Sequence, residues 1–400
     1  MKRLFGVLMV FLFLLSGCGV VEKSPEITEN EKFPDEEEIK ALWVSVYDLS
    51  EFRGISEGGF RAKADNMFRD IAERGFNHVF LQVRPCSDAL YQSEIFPWSK
   101  YISGEEGKSP GYDPLAIFLK VAHSHKLKLH AWINPYRISA TSAELKNLAD
   151  SNPAKKMYKE NKSDVYVFSS GIYYNPASQN VQKLILDGVR ELVNNYNIDG
   201  IHIDDFFYPT VSEEIDKVEY EKYKQNSGKL SLNQFRREQV NAFVSGMYSV
   251  AKSKDESIIV SISPGADTDK NINELFADIE SWSQKKGFCD WIIPQVYYGF
   301  RNETKPFRET VEEWKKLTDC EKVRLIIGLA SYKCGEVDSY AGKGQNEWIE
   351  NDDILAKQLK FLRSKSIDGF AVFSYGSLKN PNETMKKEWE NFSVEINSSS

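Results

Sequence analysis

The stretch NVQKLILDGVRELVNNYNIDGIHID, residues 180–204, indicates the fold class of the chain because two different periodicities follow one another in it. Its first part, residues 180–196, carries apolar residues at the three- and four-residue spacing of an amphipathic helix. Its last part, residues 199–204, is a short β-rich run in which Ile201 and Ile203 alternate with other side chains. The stretch therefore predicts a helix followed at once by a strand.

The same alternation of strand and helix recurs along the chain from Lys40 onward. Helical patterns cover, for example, residues 60–75, 114–126, 180–196, 232–253 and 352–365. Such long crossovers join parallel strands, and eight repeats predict a single (β/α)8 TIM barrel spanning residues 39–392. The predicted strands are ALWVSV (41–46), NHVFLQV (77–83), KLHAWIN (128–134), DGIHID (199–204), SIIVSIS (257–263), DWIIPQV (290–296), RLIIGLA (324–330) and DGFAVFS (368–374).

An open, doubly wound sheet is the alternative architecture for this pattern. It predicts a glycine-rich phosphate loop after the first strand, and EFRGISEGGF, residues 51–60, contains neither G-x-G-x-x-G nor G-x-x-x-x-G-K. Two connections of the barrel are unusually long: residues 84–112 after the second strand and residues 135–179 after the third. We expect both at the C-terminal face, where barrels build their substrate clefts.

The first residues predict export and lipid anchoring. Lys2 and Arg3 precede an apolar run, residues 4–15, that is too short to span a membrane, and LSGC ending at Cys18 resembles the bacterial lipobox. A plain secretory signal with an incidental Cys18 is the alternative. The mature protein is expected outside the cytoplasm, anchored to the bacterial membrane. The predicted segments are a lipoprotein signal peptide at residues 1–17, a lipid-anchored flexible tether at residues 18–38 and a disordered tail at residues 393–400.

Charge and cysteine content argue against several classes of partner. The formal net charge of −8 becomes −10 once the two basic residues of the signal are removed, so nucleic acid is not an expected partner. The cysteines other than Cys18 fit no zinc-binding spacing, and we expect neither a metal nor a cofactor. Cys289 and Cys320 each precede a predicted strand, and the sequence leaves a disulfide between them open. A monomer is expected.

The fourth predicted strand ends in an unusual way. In DGIHIDDFFYP, residues 199–209, Asp204 and Asp205 are adjacent and are followed by three aromatic residues. Like charges repel, and aromatic neighbours disfavour the ionised form, so this arrangement offers no gain in stability. The pair therefore predicts a functional site, with a pair on a surface loop as the alternative interpretation.

Alternate residues of each strand face the inside of a barrel. In this sequence, the inward-facing positions near the strand ends carry polar and aromatic side chains, which would meet at the barrel mouth. His202 with Asp204 suggests a metal pair, but no further ligand lies at a neighbouring strand end. Each inner residue also has a structural interpretation: Trp132 as barrel filling, His130 and His202 as core histidines, and Arg84 as an ion-pair partner. The predicted inner-face residues are Gln82, Arg84, His130, Trp132, Asn134, His202, Asp204, Ser261, Ser263, Gln295 and Tyr297.

The tracts ALWVSVYD, FNHVFLQVRP, HAWINPYR, DGIHIDDFFYP, WIIPQVYYGF and DGFAVFSYGS follow the lipobox in this order. In these tracts the chain resembles the glycoside-hydrolase-10-like bacterial lipoproteins over roughly residues 39–392. The resemblance implies a TIM-barrel glycosidase of the cell envelope. A member of this broad group cleaves peptidoglycan glycan strands from which the stem peptides have been removed.

The strand ends offer no second carboxylate for the usual pair of separated acids, which points to a substrate-assisted mechanism. O-GlcNAcases are similar in carrying adjacent Asp residues at the fourth strand end. By that analogy Asp204 would hold the acetamido N–H, Asp205 would be the general acid and Tyr297 would bond the acetamido oxygen, with the assignment of the two Asp roles left open. The chain departs from the chitinase pattern, with His202 at an Asp position and Phe206 at the Glu position.

The remaining expectations concern substrate binding and the alternatives. A two-carboxylate mechanism remains open if Asp48, Asp88 or Glu94 enters from a loop. A non-catalytic glycan-binding lipoprotein, a hydrolase of another extracellular polysaccharide and an envelope scaffold are the alternative functions. The predicted substrate-binding residues are Asp48, Arg84, Trp98, Trp132, Asn134, Tyr136, His202, Tyr208, Gln295, Tyr298 and Tyr375.

Overall fold

The computed structural model describes residues 37–139, 145–169, 171–205 and 207–398. The predicted signal peptide, Cys18 and all but the last two residues of the tether lie outside the described residues, as does Phe206. Glu38 at the end of the tether forms an ion pair with Arg363 of the barrel. None of the helices in the described part of the chain combines the length and the hydropathy that a membrane-spanning helix needs.

The strands, numbered along the chain, are β1 (Ile39–Val44), β2 (His78–Arg84), β3 (Lys128–Ile133), β4 (Arg137–Ser139), β5 (Val165–Phe168), β6 (Gly171–Tyr174), β7 (Gly200–Ile203), β8 (Ile259–Ile262), β9 (Trp291–Ile292), β10 (Arg324–Ala330) and β11 (Gly369–Phe373). Eight of them close a parallel barrel in the order β1, β2, β3, β7, β8, β9, β10 and β11. These are the eight predicted strands, so the single (β/α)8 TIM barrel is confirmed.

Two details of the sheets differ from the prediction. The sixth barrel strand is only two residues long, because Pro294 has no N–H for the ladder, although an isolated bridge at Gln295 continues the pairing. The long connection after β3 contains an antiparallel sheet of order β4, β6, β5, which was not predicted. This small sheet stands next to the barrel mouth because β4 begins only four residues after β3 ends.

The five predicted helices agree with the structure within three residues at each end. The helix of the quoted stretch begins after Ser178, whose side chain accepts a hydrogen bond from the Val181 N–H. In chain order the α-helices are α1 (Glu57–Glu73), α2 (Lys100–Ser103), α3 (Pro114–Ser124), α4 (Pro153–Glu160), α5 (Gln179–Asn195), α6 (Lys217–Gln225), α7 (Leu232–Lys254), α8 (Thr268–Asn273), α9 (Ile279–Gln284), α10 (Phe307–Leu317), α11 (Glu347–Glu350), α12 (Ile354–Ser364), α13 (Tyr375–Lys379) and α14 (Glu383–Asn397).

Two separate apolar clusters follow from the alternation of side chains along the strands. In β1, Leu42 and Val44 belong to the large cluster between the barrel and its helices. Ala41 and Trp43 belong to a smaller cluster inside the barrel, which also contains Phe80, Trp132, Trp291 and Ile326. Aromatic side chains fill the barrel interior and support the residues above them.

The C-terminal prediction was wrong for most of its length. Residues 393–397, expected in a disordered tail, continue α14, because Phe392 and Ile396 are fully buried and anchor the helix. The possible disulfide between Cys289 and Cys320 is absent: both are free cysteines, with Cys289 buried and Cys320 exposed.

Three histidines lie inside the barrel as core residues. Nδ1 of His78 is 2.9 Å from Nε2 of His130, and the His130 ring packs against Trp291. Burial lowers the pKa of His78 and of His202 well below its usual value and lowers the pKa of His130 to about 4. These residues are therefore neutral near pH 7.

We expect His130 to make the protein less stable in mild acid. The unfolded chain takes up this proton near pH 6.5 and the folded protein only near pH 4, so stability is lost as the pH falls between these values. The loss from this residue amounts to roughly 2 kcal/mol between about pH 7.5 and 5. Urea unfolding at both pH values should show a smaller change for His130→Phe than for the wild type. An equal change in both proteins would contradict the prediction.

Candidate active site

A pocket of about 500 Å³ opens at the C-terminal ends of the barrel strands. A larger groove of about 850 Å³ lies between α8, α9, α10 and α12, on the outside of the barrel, and none of its lining residues belongs to a barrel strand. We take the mouth as the candidate active site because TIM-barrel enzymes place their catalytic groups there. It is lined by Trp43, Ser45, Tyr47, Gln82, Trp132, Arg137, Asp204, Asp205, Gln295, Tyr297, Tyr332 and Phe373.

A series of side-chain amides orients Asp204. The Val46 N–H donates to Oε1 of Gln82 at 3.0 Å, so the Gln82 amide nitrogen faces Asn134 and donates to its Oδ1 at 2.5 Å. The Asn134 amide nitrogen then donates to both carboxylate oxygens of Asp204, at 2.7 and 2.6 Å. This series of hydrogen bonds, from β2 and from the segments after β1 and β3, thus holds the Asp204 carboxylate in one orientation. Asn134, predicted to bind substrate, instead contacts Asp204.

Asp205 has different surroundings from its neighbour. Burial raises the pKa of the Asp205 carboxyl group, and the opposing contributions come from its own N–H, the Gln295 side chain, Arg137 and Lys270. The Gln295 amide nitrogen also donates to the Ser263 carbonyl oxygen at 3.1 Å, which fixes the amide between β8 and Asp205. A carboxyl group that keeps its proton to higher pH is suited to act as a general acid.

Tyr297 lies beyond the end of β9 and faces the two carboxylates. Its ring is 6.0 Å from the Tyr332 ring and 6.1 Å from the Phe373 ring. Burial, the Tyr332 hydroxyl and the charges of Asp205 and Asp204 raise the pKa of Tyr297 well above its usual value. The side chain therefore remains a neutral phenol that can donate a hydrogen bond into the pocket.

Aromatic side chains form the wall of the pocket opposite the carboxylates. Tyr47 is 67% exposed and Tyr332 is 47% exposed, so each offers a free ring face at the rim. Deeper in the pocket, the Trp43 indole N–H donates to Nε2 of His202 at 3.0 Å, and Nδ1 of His202 is 2.8 Å from the Ser261 hydroxyl. His202 is fully buried beneath Trp43, so it positions this indole instead of binding substrate directly.

The three loop carboxylates of the alternative mechanism all lie outside the pocket lining. Asp48 accepts hydrogen bonds from the Ser45 N–H at 2.8 Å and the Ser374 hydroxyl at 3.3 Å, which joins the ends of the first and last strands. Asp88 is buried and accepts from the Cys86 N–H, and Glu94 is exposed. Among the described lining residues, Asp204 and Asp205 are the two carboxylates.

The prediction that Arg84 points into the barrel was wrong because a β-bulge shifts the register of β2. Gln82 pairs with Trp132, but Arg84 pairs with Ile133, whose side chain is in the outer cluster. The extra residue between them turns Arg84 to the outside of the barrel. There its guanidinium lies 4.6 Å above the Phe96 ring.

Several predicted platforms for sugar rings are not part of the pocket lining. Tyr136 is buried against Phe243, and Tyr208 is buried with its hydroxyl 3.2 Å from Asp216. The others are Trp98 in the loop after β2, Tyr298 beside α12 and Tyr375, which is buried at the start of α13. Of the aromatic residues predicted to bind or to react, Trp132 and Tyr297 lie in the lining.

The sequence prediction also missed residues that line the pocket. Trp43 and Ser45 alternate in the first predicted strand, so the argument applied to the other strands would have found them. Arg137 lies in β4, just after β3, and Tyr332 lies in a short 3₁₀ helix just after β10. The spacing of residues in the sequence gives no signal for such positions. Within the described residues, no cluster of three His, Cys, Asp or Glu side chains could hold a metal ion.

Comparison with known proteins places the chain among glycosyl hydrolases. The glycosyl hydrolase-like 10 family matches residues 38–350. Glycosyl hydrolase YngK of Bacillus subtilis is 31% identical over 317 residues, which cover 74% of this chain and 61% of YngK. Glycosyl hydrolase DigH of Escherichia coli K12 is 31% identical over 330 residues, which cover 77% of this chain and 74% of DigH. The chain thus spans about three fifths of the length of YngK.

Solved structures agree in fold at much lower sequence identity. The glycoside hydrolase domain of PgaB (BpsB) from Bordetella bronchiseptica has a TM-score of 0.60 at 10% identity, over 90% of this chain and 100% of that domain. The β-amylase catalytic domain from Paenibacillus polymyxa has a TM-score of 0.56 at 9% identity, over 90% of this chain and 99% of that domain. Both likenesses concern the barrel architecture.

Proposed function

The chain belongs to the glycosyl hydrolase-like 10 family. We propose that it cleaves the glycan strands of peptidoglycan in their peptide-free, N-acetylated form. Membership confirms the predicted family and the predicted glycosidase class. The observation that carries the proposal is the pair of adjacent carboxylates, Asp204 held by an amide and Asp205 with a raised pKa, facing an aromatic wall. A pocket of about 500 Å³ is of the size that small ligands occupy.

The proposed mechanism uses the substrate's own acetamido group as nucleophile. Asp204 accepts a hydrogen bond from the acetamido N–H, and Tyr297 donates one to the acetamido oxygen as it bonds to the anomeric carbon. The bond from that carbon to the leaving oxygen breaks, and Asp205 gives its proton to the leaving oxygen. Water then attacks the anomeric carbon, the bond from that carbon to the acetamido oxygen breaks, and Asp205 takes up a proton from the water, which restores the acetamido group and the enzyme. The absence of a third carboxylate from the described lining supports this mechanism over one with two separated acids.

The proposed location is the outer side of the bacterial membrane. The signal-like residues 1–17 and the lipobox that ends at Cys18 support it, since a diacylated cysteine would hold the barrel at the membrane surface through the tether. The proposed polymer substrate is found in the same compartment, so the proposed location is consistent with the proposed activity.

The test is hydrolysis by the full chain, purified in mild detergent, of two peptidoglycan preparations. One is intact and the other has been stripped of stem peptides with an amidase, and mass spectrometry measures the sugars released. We expect release from the stripped strands and none above background with Asp205→Asn. Equal release from both preparations would contradict peptide-free specificity. Release from neither would overturn the proposed substrate.

A further inference from the structure

Arg137 brings a positive charge to the carboxylate side of the pocket. It lines the pocket at the start of β4, four residues after the end of β3, and pairs with Tyr173 of the small antiparallel sheet. Its guanidinium is close enough to lower the pKa of Asp205 against the effect of burial. Among the described lining residues it is the one that carries a positive charge. The small sheet after β3 therefore places a positively charged side chain in the pocket lining.

A pocket with two acidic groups is a poor place for an anionic sugar unless a cation offsets their charge. Peptide-free strands are anionic, because removal of the stem peptide turns the lactyl amide of N-acetylmuramic acid into a carboxylate. The lactyl group is on C3 of the sugar ring, next to the C2 acetamido group. In the proposed mechanism Asp204 holds that acetamido group, so the lactyl group of the same sugar lies close to the two carboxylates and needs a cationic partner.

We propose that Arg137 binds the lactyl carboxylate of an N-acetylmuramic acid residue seated in the pocket, and so selects peptide-free strands. This inference rests on the proposed function. A guanidinium and a carboxylate form a charge-assisted, often bidentate contact, whereas the amide of a peptide-bearing strand offers no charge and adds bulk. The bond cleaved is then the one at the anomeric carbon of N-acetylmuramic acid.

The experiment compares amidase-stripped strands with the same strands after chemical reduction of their lactyl carboxylates to alcohols. The full chain is tested as wild type, Arg137→Gln, Arg137→Lys and Arg190→Gln. The last variant removes an exposed arginine from the outer face of α5 and serves as the matched control for charge. Steady-state kinetics gives kcat/KM, and borohydride reduction of the products identifies the new reducing end. A polymer of alternating N-acetylglucosamine and glucuronate shows whether the enzyme also accepts a glycan whose carboxylate is at another ring position.

We expect the wild type and Arg190→Gln to prefer the carboxylate strand by roughly 10- to 100-fold, and Arg137→Gln to lose most of this preference. Arg137→Lys should keep part of it. The new reducing ends should be N-acetylmuramic acid, detected as N-acetylmuramitol after borohydride reduction. The glucuronate polymer should not be cleaved. An arginine that acted only through Asp205 would lower kcat/KM on both strands equally in Arg137→Gln, and this result would overturn the proposal.

Failure of the inference can be told apart from failure of the proposed function. If the wild type cleaves both strands equally well, or leaves N-acetylglucosaminitol ends, the enzyme is a peptidoglycan glycosidase but Arg137 has no selective role. If it cleaves the glucuronate polymer in preference, the carboxylate belongs to another polysaccharide and the lactyl assignment is wrong. Cleavage of neither strand overturns the proposed function and this inference with it.

Discussion

Asp205→Asn should lower kcat on peptide-free glycan by roughly 10²- to 10⁴-fold, with little change in KM. The amide has the size of the carboxyl group and still contacts Gln295, but it has no acidic proton for the leaving oxygen. The raised pKa of Asp205 also sets the sign of the pH dependence: wild-type kcat should be high where the group is protonated and should fall as the pH rises through that pKa. The variant should lack this alkaline fall. Initial rates across the pH range, measured by release of reducing sugar, test both statements.

The matched variant is Asp204→Asn, which changes the neighbouring carboxylate and leaves the acid in place. An N-acetylated glycoside with an activated aryl leaving group separates the two roles, because such a group departs without being protonated. Asp205→Asn should regain most of its activity on this substrate, whereas Asp204→Asn should remain impaired because the acetamido group is no longer held. The reverse pattern would exchange the two roles. Full activity of Asp205→Asn on the polymer would overturn the mechanism.

Asp216→Ala should lower the free energy of unfolding by about 3–5 kcal/mol. Asp216 and Arg236 form a two-point ion pair at 2.6 and 2.7 Å, with side chains only 0% and 1% exposed. Without Asp216 the guanidinium remains buried with its charge uncompensated, although the Val211 and Ser212 carbonyl oxygens still accept hydrogen bonds from it. The ion pair also connects the segment that follows Asp205 to α7, because Arg236 belongs to that helix. Urea-induced unfolding followed by circular dichroism measures the loss.

Asp187→Ala provides the comparison for that measurement. Asp187 pairs with Lys183 and Arg190 on the surface of α5, where both cations are mostly exposed. Surface ion pairs contribute at most about 1 kcal/mol, so this variant should stay close to the wild type. If the two variants lost the same stability, burial would not be what makes the Asp216 pair important.

The barrel and the position of the Asp pair could both be inferred from the amino-acid sequence alone. Eight β-rich runs separated by helical crossovers leave few alternatives to a closed parallel sheet, and all eight predicted strands are in it. Because side chains alternate along a strand, the placement of Asp204 and Tyr297 at the mouth followed once the barrel was assumed. Local periodicity is a property of the chain alone, which is why these inferences needed no tertiary information.

The surroundings of the Asp pair, in contrast, could not be inferred from the spacing of residues along the chain. A single bulge in β2 moved Arg84 to the outer face, although its spacing from Gln82 predicted the inner one. Asp48 lies four residues beyond the end of β1, and its carboxylate joins β1 to the segment after β11. Arg137 and Tyr332 reach the pocket from connections whose paths depend on contacts with distant parts of the chain. Such contacts leave no periodic signal in the sequence, because packing between remote segments, and not the spacing of neighbours, sets them.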